Sequence, residues 1–395
     1  MGGSESRYQD FLEGLAQNRL RRHLTDIVAR DARRLEIGGR TYVNFASNDY
    51  LGLRFHEALA ERASAWAKAF GTGAGASRLV TGNLDLFAGI ERKVAALKQK
   101  PAALLMASGF QANASVLQAL FDKRVLGAEP LVFADRLNHA SMHFGCQAAG
   151  VRQIRYRHAS ANHLAELLEQ HTAGDRPKFI LTESVFSMDG DVAWMEQIRE
   201  LAHEHDAMVI VDDAHATGIL GKGGSGQSDG ADVVIGTFSK ALGSFGAYVA
   251  CSDTMRDYLI NRCGGFIYST ALPPPVLGAI DAALDLVPSL DTERARVASL
   301  SASFRDECRE LGYDTGQSLT QIVPLIVGTA EAALGLSNRL REAGLWATAI
   351  RPPTVPNGTA RVRLTFTAAH TGEDLSRLVE VLQAAAGPRA EYVFD

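Results

Sequence analysis

The 395-residue sequence contains only four cysteines, Cys146, Cys251, Cys263 and Cys308, and they are scattered along the chain. None belongs to a Cys-x-x-Cys pair, and no histidine-rich segment accompanies them. Disulfide scaffolds and zinc centres both need clustered ligands at regular spacing, so neither fits this pattern. We therefore expect free thiols in a reducing compartment and no metal site.

The sequence also lacks long apolar runs and long runs of one charge. No apolar stretch reaches the length needed to cross a bilayer, and the first residues lack the basic and apolar segments of a signal peptide. The net charge is -5, and the nearest thing to a basic cluster is Arg19, Arg21 and Arg22, whose default interpretation is a solvated helix face. We expect a cytoplasmic protein with no nucleic-acid or membrane partner.

Short apolar runs alternate with helical patterns through the middle of the chain. The runs occupy residues 102–106, 131–134, 179–182, 208–211 and 233–236. Continuous apolar runs of this length are typical of strands that are buried on both faces of a parallel sheet. The pattern predicts an α/β fold with a mainly parallel central sheet.

The pattern changes after Pro273, Pro274 and Pro275. A long helical stretch is predicted over about 276–312, followed by strands at 322–327, 346–350 and 362–366 and helices at about 330–343 and 373–386. At the other end, residues 8–35 have helical spacing. We predict an N-terminal arm over residues 1–55, a large domain over 56–290 and a smaller C-terminal α+β domain over 291–395.

Polar residues follow the buried runs: Ser108, Asp135, Glu183, Asp212 and Thr237. Ligands of α/β sheets bind at the carboxyl ends of the strands. One site can therefore collect these side chains.

Lys240 lies just beyond such a run, in Thr237–Gly243. This position suits a Schiff base with an aldehyde cofactor, although a solvated lysine at the start of a helix remains an alternative. Asp212 and His215 are three residues apart, a spacing that can serve the nitrogen and the phenolic oxygen of a pyridine ring. An ion pair at the sheet edge, or a metal pair, is the alternative for these two.

Three further segments have two interpretations each. The turn that contains Ser108, Gly109 and Phe110 can bind phosphate at a helix start or be a plain strand–helix turn. His139 can stack on a planar cofactor or be a structural histidine. Arg361 and Arg363 fall on one face of a predicted strand, where they can bind a carboxylate or lie on a solvated face.

Taken together, these motifs resemble the α-oxoamine synthases, pyridoxal-phosphate enzymes of fold type I. The resemblance extends over about residues 40–390. Its most specific segments are Ser47–Leu53, Thr182–Asp191, Val211–His215, Thr237–Lys240, Ala349–Pro356 and Gly358–Arg361. Departures from the family pattern occur at Phe87, Trp194 and Ala216.

The resemblance implies a role for each matching residue. Lys240 would hold pyridoxal 5'-phosphate and move the substrate proton, Asp212 and His215 would pair with the ring, His139 would stack on it, and Ser187 would contact it. The phosphate would be held by Gly109, Phe110 and Thr237, and by Ser269 or Thr270 from a neighbouring subunit. The substrate would contact Asn48, His139, Thr354 and Arg363, with Arg21 or Arg22 at the far carboxylate of a dicarboxylic acyl chain.

The resemblance further implies a homodimer that condenses an amino acid with an acyl thioester and releases carbon dioxide. The expected substrates are L-alanine and pimeloyl-CoA, or a pimeloyl carrier protein, in biotin biosynthesis. The alternatives are another amino acid, a fatty acyl-CoA, or a non-catalytic relative of the fold. Intact Lys240, Asp212 and His215 argue against the non-catalytic alternative.

Overall fold

A computed structural model describes residues 5–18, 20–172 and 174–386. Arg19 lies outside these residues, and so do residues 1–4, which formed part of the signal-peptide prediction. The helices are α1 Glu5–Gln17, α2 Glu57–Phe70, α3 Leu86–Lys98, α4 Gly109–Leu120, α5 Lys123–Leu126, α6 Ala140–Ala148, α7 Ala161–Gln170, α8 Met195–Glu204, α9 Asp253–Arg262, α10 Gly264–Ile267, α11 Pro274–Leu286, α12 Asp291–Leu311, α13 Ala330–Glu342 and α14 Gly372–Ala386.

The strands are β1 Val28–Ala29, β2 Arg34–Ile37, β3 Arg40–Asn44, β4 Ala102–Met106, β5 Leu131–Asp135, β6 Gln153–Tyr156, β7 Lys178–Glu183, β8 Ala207–Asp212, β9 Val233–Thr237, β10 Ala247–Cys251, β11 Ile322–Gly328, β12 Leu345–Trp346, β13 Thr348–Ile350 and β14 Ala360–Thr365. The described chain forms two compact units. One contains residues up to Ser47, Met188–Gly190 and residues from Arg296 onward, and the other contains Asn48–Ser187 and Asp191–Ala295. The domain limits predicted from the sequence remain a prediction, since a spatial grouping does not show which parts fold independently.

The larger unit is built on a seven-stranded sheet in the order β4-β10-β9-β8-β7-β5-β6. Strand β10 is antiparallel to both β4 and β9, and the other neighbouring pairs are parallel. Every residue of β4, β5, β9 and β10 is buried, which explains their continuous apolar sequences. The predicted α/β fold class with a mainly parallel sheet is confirmed. Strands β6 and β10 were not predicted.

The other unit contains a four-stranded sheet, β1-β2-β3-β12, and a three-stranded sheet, β11-β14-β13. The strand predicted over 346–350 is in fact two strands in different sheets. Trp346 pairs with β3, whereas Thr348 begins β13, which pairs with β14. Between them Ala347 is buried, and its carbonyl accepts a hydrogen bond from Ser337 Oγ at 2.7 Å, which holds the chain where it changes sheets.

Two predicted helical stretches are interrupted. The N-terminal helix ends at Gln17, well before residue 35, and a turn closed by Asp31, which accepts hydrogen bonds from the N–H groups of Arg33 and Arg34, leads into β2. The stretch over 276–312 is two helices, α11 and α12, separated by a turn that contains Pro288. Proline has no N–H to continue the helical hydrogen-bond pattern. Across the described residues, no helix combines the length and apolar character of a membrane span.

Candidate active site

Lys240 lies in the tight connection between β9 and β10. Thr237 Oγ1 donates to the Gly246 carbonyl at 2.8 Å, and the Gly243 N–H donates to the Lys240 carbonyl at 2.9 Å. Gly243 has φ +64, and a Cβ there would lie 2.4 Å from the Arg54 nitrogen, so the turn requires glycine. Lys240 is half-buried in a turn and does not begin a helix, which rules out that alternative.

Asp212, the last residue of β8, is the carboxylate of this site. Its two oxygens accept hydrogen bonds from Asn113 Nδ2 at 2.6 Å and from the Ala214 N–H at 2.9 Å. Asn113 also donates to Ser141 Oγ at 2.9 Å, and Ser141 Oγ lies 2.7 Å from His139 Nδ1. A continuous hydrogen-bonded chain thus joins Asp212 to His139.

Asn113 and Ser141 were not predicted as site residues. Asn113 lies four residues after Gly109 on α4, so both face the same side of the helix. That spacing was the available signal for Asn113. The role of Ser141 depends on a contact between α4 and α6, which sequence reasoning did not reach.

His215 is buried, and Tyr50 fixes the orientation of its ring. The Tyr50 hydroxyl lies 2.7 Å from His215 Nδ1 and donates to Asn48 Oδ1 at 3.1 Å. Tyr50 itself is fully buried. Asn48, predicted to contact substrate, is therefore hydrogen-bonded to the group that holds His215. Sequence reasoning missed Tyr50 because 165 residues separate it from His215.

His139 caps the start of α6, and part of its ring is exposed. Burial in the surrounding protein lowers the pKa of His139. The Asp212 carboxylate raises this pKa, and the Lys240 ammonium lowers it further. The ring therefore lies within electrostatic range of both groups. His139, Asp212 and Lys240 belong to one site, as expected from strand ends that share a sheet edge.

The start of α4 approaches the end of β9. Ser108 caps the helix by accepting a hydrogen bond from the Gln111 N–H at 3.3 Å. A Cβ on Gly109 would lie 3.7 Å from Thr237 Cβ, so the helix N-terminus and Thr237 are neighbours. Thr237 Oγ1 is 2.8 Å from Ser239 Oγ. The start of a helix and two hydroxyl groups therefore lie close together, an arrangement that can stabilise an anion such as phosphate.

The remaining residues predicted to contact the cofactor belong to the same unit. The Phe110 ring is 49% exposed and lies 5.4 Å from the Phe144 ring, centroid to centroid. Gln111 donates hydrogen bonds to Ser269 Oγ and to the Gly265 carbonyl, which places Ser269 beside α4, and Thr270 is exposed. Ser187 is buried in the segment that follows β7. Their contacts with a cofactor remain predictions.

Two of the five strand-end residues have unexpected surroundings. Asp135 bonds to His158 Nδ1 at 3.0 Å and to the Ala159 N–H at 2.8 Å, and therefore belongs to a separate cluster. Glu183 is buried directly beside Asp212, its partner in the β7–β8 register. The sequence placed Glu183 at the sheet edge but gave no indication of this pairing of two acids.

The predicted carboxylate-binding arginines lie on β14 in the other unit. Arg361 and Arg363 are 3% and 7% exposed, so the solvated-face alternative is wrong. Arg361 forms an ion pair with Asp189 and donates to the Met188 carbonyl at 3.2 Å. A buried guanidinium must be paired, and for Arg361 the Met188–Gly190 segment provides the partners.

Arg21, Arg22 and Thr354 line one cavity of about 710 Å³, together with His23, Arg351, Ala16, Leu20, Leu334, Thr348, Ala349, Ile350 and Pro352. Arg22 Nη2 donates to Thr354 Oγ1 at 3.0 Å. Three residues predicted to contact substrate thus share a cavity, although 332 residues separate Arg22 from Thr354.

The departures from the family pattern lie in different surroundings. Phe87 is buried, and the Arg78 guanidinium carbon lies over its ring, 4.0 Å from the ring centroid. Trp194 is 54% exposed at the start of α8, and Ala216 is fully buried.

Known proteins resemble this chain along nearly its whole length. The aminotransferase class I and II family matches residues 40–382. An 8-amino-7-oxononanoate synthase from Gluconacetobacter diazotrophicus is 51% identical over 384 residues, which cover 96% of each chain. Similar solved structures include a Sphingomonas wittichii serine palmitoyltransferase, with TM-score 0.88, 25% identity and 96% of both chains covered.

The structure of an 8-amino-7-oxononanoate synthase from Francisella tularensis matches with TM-score 0.75 and 25% identity, covering 87% of this chain and 97% of that one. Sequence and fold therefore agree on the same group of enzymes. The chain belongs to the aminotransferase class I and II family and, within it, to the α-oxoamine synthases.

Proposed function

We propose that this protein condenses L-alanine with a pimeloyl thioester, either pimeloyl-CoA or a pimeloyl carrier protein. The products are 8-amino-7-oxononanoate, carbon dioxide and the free thiol, and the reaction belongs to biotin biosynthesis. The observation that carries the proposal is 51% identity over 384 residues to an enzyme named for this product. The grouping of Lys240, Asp212 and His139 in one site supports it.

The residues of the larger unit fit pyridoxal 5'-phosphate. Asp212 is a buried carboxylate held in place by two N–H donors, as a partner for a pyridinium nitrogen requires. The helix start at Gly109, beside Thr237, suits the phosphate. Lys240, half-buried in a turn, would hold the cofactor covalently through its ε-amino group. When bound, pyridoxal phosphate supplies an electron sink for the negative charge left on the substrate carbon.

Each side chain then has a defined task. Asp212 would keep the ring nitrogen protonated, and His215, oriented by Tyr50, would hydrogen bond to the ring oxygen. The Lys240 amine would remove the α-proton of alanine and return a proton after carbon dioxide leaves. Because burial lowers the pKa of His139, the neutral imidazole is favoured and can stack on the ring.

Substrate recognition would depend on arginines. Arg363 would bind the carboxylate of the amino acid. Arg21 or Arg22, in the cavity shared with Thr354, would bind the distal carboxylate of the pimeloyl chain. A guanidinium binds a carboxylate through two parallel hydrogen bonds, which makes it selective for a dicarboxylic acyl chain.

The proposal includes a cytoplasmic homodimer in which Ser269 or Thr270 reaches the phosphate of the partner subunit. Several large apolar side chains of the larger unit are exposed, among them Leu79, Val80, Phe110, Phe144 and Tyr268. The rings of Phe110 and Phe144 are in contact, with centroids 5.4 Å apart, and a contiguous exposed apolar patch favours burial against a second copy. Sedimentation of the full-length protein tests this part, and a monomer at micromolar concentration would contradict it.

The test of function is mass spectrometry of the product formed from purified protein, pyridoxal phosphate, L-alanine and pimeloyl-CoA. We expect the mass of 8-amino-7-oxononanoate, and no product from Lys240→Ala. Product formation by Lys240→Ala at the normal rate would contradict the proposal. Product only with a monocarboxylic acyl-CoA would instead indicate a fatty-acyl enzyme.

Arg21→Met and Arg22→Met then identify the arginine that binds the chain. The relevant variant should raise KM for pimeloyl-CoA and leave KM for L-alanine unchanged. Arg7→Met, on the exposed helix α1, is the matched control. Equal effects on a dicarboxylic and a monocarboxylic thioester would show that neither arginine reads the distal carboxylate.

A further inference from the structure

Glu183 is a buried acid to which the reaction assigns no task. It is the last residue of β7, is 2% exposed, and lies opposite Asp212 in the parallel β7–β8 register. Residues in register on neighbouring strands project to the same face of a sheet. Two carboxyl groups therefore lie side by side at the edge where Lys240 is found.

Two neighbouring carboxylates in a buried site cannot both be ionised without a large cost, so such pairs keep one proton between them. The surroundings determine which acid keeps it. Asp212 accepts hydrogen bonds from Asn113 Nδ2 at 2.6 Å and from the Ala214 N–H at 2.9 Å, and both stabilise its anion. In the described structure, Oε1 of Glu183 is buried without a hydrogen-bond partner.

The charged groups that face Glu183 are those of the site itself. Burial is the main effect that raises the pKa of Glu183, and the Asp212 carboxylate raises it further. The Lys240 ammonium and the backbone N–H groups of His139 and Ser187 oppose this increase without cancelling it. The deeper burial of Glu183 and its unpartnered Oε1 therefore both indicate that Glu183 keeps the proton, whereas each oxygen of Asp212 has a donor.

We propose that Glu183 is a neutral carboxylic acid of the active site, so that the pair carries one negative charge, located on Asp212. Glu183 acts through its neighbour and is therefore a positioning residue. A second anion here would hold Lys240 in its protonated form, in which the amine is neither a nucleophile nor a base. The proton on Glu183 would also give its carboxyl group a donor for a bound water or for the cofactor.

The proposal builds on the proposed function but can be tested without substrate. Full-length protein, with and without pyridoxal phosphate, is labelled with carbon-13 at the glutamate side-chain carboxyl, so that buried aspartic acids such as Asp49 stay silent. At neutral pH we expect one carboxyl signal with the chemical shift of a protonated acid, and its loss in Glu183→Gln. A wild-type spectrum without a protonated glutamate signal would overturn the proposal.

The pH dependence of stability provides a second measurement. In the folded protein a neutral Glu183 keeps its proton, whereas in the unfolded chain the same group loses its proton above the ordinary glutamate pKa. The stability of the wild type therefore falls as pH rises, until Glu183 ionises in the folded protein as well. Glu183→Gln lacks this linkage. The ratio of its unfolding constant to that of the wild type should therefore fall by up to about tenfold per pH unit between pH 5 and 7.

Glu200→Gln, the same exchange on the exposed face of α8, is the control and should give a ratio that changes little over this range. A ratio for Glu183→Gln that is equally flat would overturn the proposal. If Glu183→Gln does not fold, Glu183→Leu assigns the signal, and the wild-type spectrum still decides whether the acid is neutral. Failure to make 8-amino-7-oxononanoate would leave both measurements unaffected.

Discussion

His158 joins two carboxylates that lie 56 residues apart in the chain, and we predict that it is a large, pH-dependent source of stability. Its Nδ1 is 3.0 Å from Asp135 and its Nε2 is 2.7 Å from Asp191. Burial opposes the charge on His158, but the hydrogen bonds and charges of the two aspartates outweigh it and raise its pKa to about 10. The imidazolium thus ties the end of β5 to the segment that follows Ser187.

The magnitude follows from linkage. The pKa of His158 is about 10 in the folded protein, compared with about 6.5 for an ordinary histidine. This difference corresponds to about 5 kcal/mol of the free energy of unfolding at low pH. His158 is 15% exposed, so we take about 3 to 5 kcal/mol, which agrees with the cost of about 3–5 kcal/mol for breaking a buried ion pair. This stability is fully present below about pH 6.5 and is lost as pH rises toward about 10.

The perturbation is His158→Gln, measured by urea unfolding of cofactor-free protein at several pH values. Glutamine keeps hydrogen-bonding capacity but cannot carry the charge. We expect a loss of about 3–5 kcal/mol at pH 6.5, about half of that at pH 8 and little near pH 10. His203→Gln, on the exposed end of α8, is the matched control. A loss for His158→Gln that is independent of pH would refute the assignment of a charged His158.

Three further predictions concern groups that support the site. Lys98→Met should destabilise the protein by about 3–5 kcal/mol in urea unfolding, because it leaves the buried Asp213 without its cation, whereas Lys123→Met, which is exposed, should not. Gly226→Ala should lower the free energy of unfolding by more than about 2 kcal/mol, because the new Cβ would lie 1.8 Å from Asp213 Oδ2. Gly335→Ala on α13 is the control and should be neutral or stabilising by up to about 1 kcal/mol. Equal melting temperatures for the two variants would contradict the close contact at Gly226. Asn113→Ala should weaken pyridoxal phosphate binding about tenfold or more in a fluorescence titration, because Asp212 loses a charge-assisted hydrogen bond, and unchanged affinity would show that Asn113 does not support Asp212.

Local sequence patterns predicted most of the central sheet and marked Lys240 as a candidate. Five apolar runs marked five of its seven strands, because strands buried on both faces leave no room for polar residues. The polar residues at their ends, including Asp212 and Thr237, were predicted to meet because parallel strands end at one edge. The position of Lys240 after such a strand made it a candidate, and the family resemblance gave it the role of holding the cofactor. These features depend on neighbours in the chain, which a sequence displays directly.

The tertiary structure alone determined which residues support that site. Asn113 reaches Asp212 across 99 residues, and Tyr50 reaches His215 across 165. Strand β10 enters the sheet antiparallel between β4 and β9, and this direction depends on how the strands pair. Glu183 became an acid paired with another acid only through the β7–β8 register. Hydrogen bonds and charges between distant segments depend on how the strands and helices pack, and periodicity along the chain carries no information about that packing.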